Sequence, residues 1–410
     1  MKKPELLIPA GSLEALRVAV AFGADAVYIG GDEFGLRANA KNFSMDEIRE
    51  GIGYAHAHGV RVYITVNIFA REEDLPEIQS YLEQLVPMNP DAFIVSDLGV
   101  YSMIDDFFPG IDIHISTQTN LTNSAACLYW QRQKVARVVL ARDLSIQEIK
   151  AIREHIPGGL ELEAFVHGSM CVSYSGRCLL SNYFTGRDAN HGDCTHPCRW
   201  QYAVAEETRP GEYLPVYENE RGTFLFSSTD LCMIDHIPEL MDCGIDSFKV
   251  EGRMKNALYV AMVTRAYRMA IDDYVEDPER YRERLDWYLE QVRTGTYRKF
   301  STGFYFGMPD ETAQIYEGST YEKGATFLGV VAEVLPDNTV RVEQKNKFSV
   351  GETIEIVKQN GENIEAQVRG IRSEEGEELS SAPHPKQVLF LDLGQEADPY
   401  DVLLRREEDS

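Results

Sequence analysis

Residues 136–167 read ARVVLARDLSIQEIKAIREHIPGGLELEAFVH. The stretch opens on a β-rich run over 136–142 and closes on another over 160–167. Between them Ser145, Ile146, Gln147 and Glu148 begin a helical pattern that continues to His155. Their Ser-x-x-Glu spacing is that of a capping box, in which serine and glutamate side chains satisfy each other's backbone N–H groups. Strand, amphipathic helix, strand is a βαβ unit, and its two strands must lie parallel because the helix carries the chain back to the starting edge.

The same alternation runs from Pro4 to about Ala270. Strands are predicted over 5–10, 25–30, 61–67, 91–97, 112–118, 136–142, 160–167 and 246–251, and Ser44 with Glu47 heads a second capped helix that extends to Ala57. Eight strands, each followed by a helix, predict an α/β fold of the closed (β/α)8 TIM type rather than an open doubly wound sheet. Such barrels work at the C-terminal ends of their strands. Those ends carry Gly30 and Gly31, Asn67, Ser96 and Asp97, Ser116 to Gln118, Arg142, His167 and Gly168, and Glu251 to Arg253.

Between the seventh and eighth strands the rhythm breaks. Residues 169–243 fill a gap that a βα unit crosses in roughly thirty residues. The insertion holds six of the seven cysteines and an apparent antiparallel pair, 201–206 with 223–228, whose connection carries Pro210 and Gly211. It is expected to form a lid or arm over the barrel mouth. A helix over 256–273, a charged helix over 277–292 and a Gly/Tyr-rich connector over 295–318 follow. From about Gly324 the pattern becomes short strands separated by turns, at 326–334, 339–344, 353–357, 364–371, 387–391 and 401–404, which predicts a small C-terminal antiparallel β-barrel. The expected division is a barrel domain over 1–322 and a second domain over 323–410.

Composition narrows the function classes. Of 410 residues, 44% are apolar and 26% charged, enough for a large core. The apolar run at residues 6–10 is too short for a signal-peptide core, and no run reaches the ~20 apolar residues of a membrane span. A cytoplasmic protein with no membrane partner is expected. The formal net charge of -26 counts against nucleic-acid binding by a broad basic surface and leaves only focused patches for that purpose. Seven cysteines, an odd number, suit metal binding or catalysis in a reducing compartment better than a disulfide framework.

Four of those cysteines are spaced Cys171-x6-Cys178-x15-Cys194-x3-Cys198 on loop-like sequence rich in glycine and proline. Thiolates so placed converge on one metal centre without deforming a helix or strand, and soft sulfur ligands leave an iron-sulfur cluster and structural zinc both open. The alternative is four unrelated buried thiols. Cys232 is a fifth candidate ligand, but it is expected to open a helix and pack; Cys127 and Cys243 lie in helical patterns and read as core.

The run 163–171, EAFVHGSMC, continuing through Gly176, Arg177, Cys178, Leu179, Leu180 and Ser181, resembles the signature of the collagenase-like U32 peptidase family. So do Asn182 to Asp188, Cys194-x3-Cys198-Arg199-Trp200, Pro9 to Ser12, Gly23 to Gly30, and Lys249 to Arg253. The resemblance covers nearly the whole chain and is nearest to the branch with a C-terminal β-barrel that hydroxylates tRNA. It implies a (β/α)-barrel in which Cys171, Cys178, Cys194 and Cys198 hold a 4Fe-4S cluster. It also implies oxygen-independent conversion of a wobble uridine to 5-hydroxyuridine, with prephenate as co-substrate.

For that chemistry the expected partners are a tRNA anticodon stem-loop, a small dicarboxylate and an electron-donor protein. Guanidinium matches carboxylate bidentately, which singles out Arg142, Arg253 and Arg177. Lys249 and Glu251 share a face of the last strand, as a catalytic pair or as a mutual salt bridge. His167 is the candidate acid or base, or a structural hydrogen-bonding group. Asn67, Gln118 and Asp97 are candidates to position a base edge or a water. For RNA, Arg177, Arg187, His191, His196 and Arg199 cluster near the cysteines, and Arg341, Lys345 and Lys347 lie on the β-barrel. Tyr183, Phe184, Trp200 and Tyr202 serve either as stacking surfaces or as the core of the insertion. The peptidase label finds no His-Glu-x-x-His and no Gly-x-Ser-x-Gly motif to support it. A non-catalytic scaffold held by zinc is the remaining alternative.

Overall fold

Parity decides which way each strand faces. In β1 (Glu5–Pro9) Leu6 and Ile8 join the large core beneath the helices, whereas Leu7 belongs to a separate small cluster. That cluster adds Ala26 and Tyr28 of β2 (Ala26–Ile29), Tyr63 of β3 (Arg61–Val66), and Ala92 and Ile94 of β4 (Ala92–Val95). Two apolar clusters on opposite faces of one set of strands are the outside and inside of a barrel. β5 (Asp112–Ile115), β6 (Arg137–Val139), β7 (Glu161–Ser169) and β8 (Ser247–Val250) complete it. Neighbours pair parallel in sequence order, and β8 pairs with both β7 and β1, so the sheet closes. All eight strands lie where the alternation put them. The computed structural model describes residues 2–32, 42–156, 158–171, 173–200, 203–205, 213–215, 229–307 and 322–406.

The helices of the βα units are α1 (Leu13–Ala21), α2 (Met45–Ala57), α3 (Leu75–Leu85), α4 (Leu98–Phe107), α5 (Ser124–Arg132), α6 (Ile146–His155), α7 (Ile237–Asp242) and α8 (Ala257–Glu276), and a further short helix, Leu180–Thr185, lies in the cysteine-bearing segment. Both predicted capping boxes form, Ser44 with Glu47 and Ser145 with Glu148. The helix predicted over 277–292 is two, Pro278–Glu283 and Leu285–Thr294. They divide at Arg284, whose guanidinium turns back to Asp273 at 2.7 Å.

Inside the barrel, one end is filled by charge. Arg137, 1% exposed, bonds Glu5 at 2.5 Å, Glu163 at 2.9 Å and Glu161 at 2.6 Å. Glu5 also accepts from Tyr63 Oη at 2.7 Å and Ser247 Oγ at 2.9 Å, and pairs with Arg61. Burial alone would raise the Glu5 carboxyl, but Arg137, Arg61 and Tyr63 outweigh it and hold it below the ordinary carboxylate range. The network joins β1, β3, β6, β7 and β8.

Of the stretch 169–243 read as an insertion, Ile237–Asp242 is the helix of the seventh βα unit. A short strand, Asp230–Cys232, runs antiparallel to the end of β7, with Asp230, Leu231 and Cys232 opposite Ser169, Gly168 and His167. Cys232 therefore lies on a strand, where a helix was expected, and is buried. Ala203–Ala205 pairs antiparallel with Tyr213–Pro215. Those residues sit where a partner at 223–228 was predicted, and 223–228 lies outside the described residues.

The C-terminal region is an eight-stranded antiparallel sheet curled into a half-barrel, in the order Asn363–Gln367, Thr353–Val357, Val402–Arg406, Ala325–Val334, Val340–Glu343, Val388–Asp392, Gly370–Ser373 and Glu378–Leu379. The strand predicted over 364–371 is two, because the chain changes neighbours there. Val368 N bonds Glu352 O and Arg369 N bonds Asp392 O. Phe327, Val330, Val357, Val402 and Leu404 share the large core with α8, and buried Arg265 of α8 donates to Lys358 O at 2.8 Å and Asn363 Oδ1 at 3.0 Å. The sheet is thus packed firmly against the helical side of the barrel.

Arg137→Leu leaves Glu5 and Glu163 buried without their shared cation, and a buried pair broken from one side costs about 3–5 kcal/mol. Chemical denaturation at neutral pH should show a loss of that size for the variant and little change for Arg49→Leu, whose ion pair with Asp46 is exposed.

Candidate active site

The C-terminal strand ends and the cysteine-bearing segment enclose a cavity of about 190 Å³. Arg142, Lys249, Glu251, Arg253 and all four of Cys171, Cys178, Cys194 and Cys198 line it. Eight of the nine residues singled out for catalysis or cofactor binding thus meet in one place, and His167 is the exception.

Three cations reach this cavity by different routes. Arg253 follows β8, is buried, and donates from Nη1 to Thr65 Oγ1 at 3.0 Å. Gly30 at the end of β2 makes room for it, since a Cβ there would collide with that guanidinium nitrogen. Arg142 donates from Nη1 to Ser169 O at 2.7 Å, and its guanidinium lies 3.7 Å from the centre of the Phe165 ring. Lys249 bonds Glu163 at 2.6 Å, so its salt-bridge partner is Glu163 and not the Glu251 of the salt-bridge alternative. Its Nζ lies 4.6 Å from the Tyr28 ring centre. Burial pushes the Lys249 ammonium below its ordinary value, and Glu163 opposes that shift without cancelling it. In a chain of net charge -26, three cations thus gather at one cavity, with Glu251 in the same wall and Glu163 paired to Lys249.

His167 faces away from the cavity. The β7–β8 register slips between Lys249 and Val250, which pair with Phe165 and His167 in turn, so the histidine takes the outward parity of Val250. Its ring packs among Tyr259, Tyr267 and Phe300 at 5.4–5.9 Å, and Nδ1 lies 3.4 Å from the Tyr267 hydroxyl. Burial, with a contribution from Lys255, pushes its pKa down to about 3. Gly168 follows with φ of 104°, and a Cβ there would run into the Glu251 carbonyl, so this corner admits only glycine.

Cys171 is exposed and Cys178, Cys194 and Cys198 are half-buried. Their segment is pinned to the strand ends and to itself. Asn120 Nδ2 donates to Ser175 O at 3.2 Å, Asn190 Nδ2 to Cys178 O at 3.0 Å, and Thr195 N to Ser181 Oγ at 3.1 Å. Among the described residues no three His, Cys, Asp or Glu side chains converge closely enough to grip one metal ion. The four thiols instead stand around the wall of the cavity. Their donor chemistry is that of soft-metal and iron-sulfur ligation. Cys232, Cys127 and Cys243 are buried elsewhere, with thiols that burial pushes up to about 12, 11 and 11, as structural cysteines should be.

Asn67 and Gln118 also line the cavity, whereas Asp97 caps α4 by accepting from Gly99 N at 2.8 Å and Val100 N at 3.1 Å. Glu163 and Arg137 had not been singled out for a role, and their inward parity beside Lys249 was the available signal. Several cations expected to meet RNA are tied to acids. Arg187 pairs with Asp193, His191 with Asp74 at 3.1 Å, and Lys345 with Glu14 and Glu343 at 2.9 Å each. The Arg199 side chain and Tyr202 lie outside the described residues. Tyr183, Phe184 and Trp200 do not form a core, being 79%, 45% and 45% exposed.

The peptidase family U32 model matches residues 11–315, and the model of the family's C-terminal domain matches 323–405. A tRNA hydroxylation protein of Bacillus subtilis is 39% identical over 403 residues, covering 98% of this chain and 94% of that protein. The tRNA hydroxylation protein P of Escherichia coli is 35% identical over 447 residues, covering 99% and 97%. A 23S rRNA 5-hydroxycytidine synthase of Escherichia coli is 36% identical over 273 residues, covering 67% of this chain and 40% of that protein.

A histidine buried neutral opposes folding in acid, because the unfolded state takes up the proton first. The His167 contribution to stability is whole above pH 6.5 and falls as pH drops from there towards 3. The imidazole resonances of His167 should keep their neutral positions well below pH 6.5, and His167→Gln should flatten the acid limb of a stability profile; a mid-point near 6.5 would put the ring in solvent.

Proposed function

The chain belongs to peptidase family U32, and we propose that within this family it hydroxylates RNA, converting a tRNA wobble uridine to 5-hydroxyuridine. One observation carries the reading: four cysteines and three cations line a single cavity at the working end of the barrel. Replacing the hydrogen on carbon 5 of the base by hydroxyl is a two-electron oxidation and needs a co-reactant. Arg142, Arg253 and Lys249 suit a dicarboxylate of the prephenate kind, the guanidinium groups as bidentate clamps and the ammonium as a point charge.

Cys171, Cys178, Cys194 and Cys198 are the residues that would hold a 4Fe-4S cluster, which supplies electron transfer at the cavity wall when bound. Zinc is the weaker assignment, because it requires thiolates drawn in to a tetrahedron around one ion. Lys249, with its proton held less tightly than usual and Glu163 2.6 Å away, is placed to hold or release a proton at the reacting base. Glu251 shares the cavity and serves the same class of role. An electron-donor protein is the partner the redox step calls for.

Exposed aromatics support an RNA substrate. Tyr183 and Phe184 have ring centres 5.1 Å apart, Phe184 and Trp200 6.2 Å, on the segment that bears the cysteines. Unpaired bases of an anticodon loop stack on such rings, at about 1–3 kcal/mol per base. Peptide hydrolysis is less well supported, since Ser169 lines the cavity while His167 faces the other side of the sheet.

Purified without oxygen, the protein should carry iron and sulfide at about four each per chain. Cys194→Ala should lose both. Transfer RNA from a strain lacking this gene and any redundant paralogue should lose its 5-hydroxyuridine derivatives on nucleoside mass spectrometry. A colourless protein with one zinc would overturn the cluster, and unchanged 5-hydroxyuridine would overturn the function. Tyr183→Ala should weaken binding to the anticodon stem-loop about tenfold, as expected from the loss of one stacked base.

A further inference from the structure

Gln118 sits in the 3-10 turn Thr117–Thr119 after β5, is 2% exposed and lines the cavity. Its Oε1 stands within reach of three donors, Asn67 Nδ2 at 2.8 Å, Ser96 Oγ at 2.8 Å, whose one proton also faces Asn67 O at 3.2 Å, and Ser116 Oγ at 3.1 Å. These donors stand at the ends of β3, β4 and β5, three consecutive barrel strands. A carbonyl oxygen has two lone pairs, so this one is saturated. At the other end of the same amide, Nε2 is buried and has no hydrogen-bond partner among the described residues. Turning the amide over would bring Nε2 against the Asn67 amide nitrogen, donor to donor, although the two serine hydroxyls could accept from it. In this orientation the one unused group of the side chain is the Nε2 donor, beside the cavity that the residue lines.

We propose that Gln118 reads the target base, donating from Nε2 to the oxygen on carbon 4 of uracil and so selecting uridine over cytidine. This rests on the RNA-hydroxylase reading above and deepens it. Charge matching decides which ligand the amide serves. Arg142, Arg253 and Lys249 answer a carboxylate, whereas a neutral donor suits a neutral ring carbonyl. The two pyrimidines differ at carbon 4, where uracil carries an acceptor and cytosine an amino donor. Against uracil the buried Nε2 gains its missing partner. Against cytosine two donors face each other out of water, and neither has an acceptor.

The test uses the full chain expressed in a host without its own wobble-uridine hydroxylation. The host carries the natural tRNA, or the same tRNA with cytidine at the target position, and hydroxylated nucleosides are measured by mass spectrometry. Gln118→Glu keeps the shape and the acceptor held by Asn67, Ser96 and Ser116, and replaces the donor by an acceptor. It should lower the uridine product about ten- to a hundredfold, the worth of one buried hydrogen bond left unmade, and raise the cytidine product relative to wild type. Gln118→Met, which neither donates nor accepts, should lose uridine product without gaining cytidine product, and it serves if the glutamate variant does not accumulate. A uridine-to-cytidine ratio unchanged in the soluble variants would overturn the assignment of Gln118 while leaving the hydroxylase reading intact. No hydroxylated nucleoside from the unaltered chain overturns both.

Discussion

A guanidinium buried inside the barrel sets the terms for everything above it. Barrels of this kind are ordinarily filled by layers of branched apolar side chains. In this one Arg137 occupies the interior with carboxylates from β1 and β7 around it, and those carboxylates in turn hold Tyr63, Ser247 and Lys249. Each of these charges would be costly to bury alone. Together they are tolerable only if β1, β6, β7 and β8 stand in one register, since a slip of one residue would turn Glu163 and Lys249 to the helix side. The ion network and the closure of the barrel are the same constraint seen from two sides.

Glu163 carries that constraint to the working end of the molecule. One oxygen answers Arg137 and the other answers Lys249, which lines the cavity. The fold is thereby coupled to the site's electrostatics, because the ammonium is held by a carboxylate whose place is set by the far end of the barrel. The arginines use other supports, Arg253 the space over Gly30 and Arg142 the Phe165 ring and the Ser169 carbonyl. An anion that enters meets three cations held by independent means, within an acidic protein that would otherwise repel it.

Much of this was readable in the chain because it is local. The alternation of β-rich runs with amphipathic segments placed the eight strands, and the Ser-x-x-Glu pairs placed two helix starts to the residue. Strand-end position alone brought Arg142, Lys249, Glu251 and Arg253 to one cavity. What escaped was set by contacts distant in sequence. The slip in register beside Val250 reverses the side on which His167 lies, and no pattern in 160–167 announces it. The partner of Lys249 is 86 residues away. The saturation of Gln118 needs the ends of three strands at once, so the sequence could offer the residue but not its orientation. The His191 side chain meets Asp74, 117 residues away, a contact its own stretch does not announce.

The short strand Asp230–Cys232 lies against the last three residues of β7, so the chain leaves the barrel and re-enters it through one hydrogen-bonded stem. The cysteine-bearing arm is therefore rooted at one joint and, among the described residues, tied again to the strand ends through Phe69, Arg71, Asp74 and Asn120. Its ends are already together, so lengthening or trimming it between those ties alters the closure entropy only slowly. Such an arm has two faces under different constraint: the inner one is bound to the cavity by its cysteines, while the outer one, with exposed Tyr183, Phe184 and Trp200, can be rewritten without disturbing the parallel barrel.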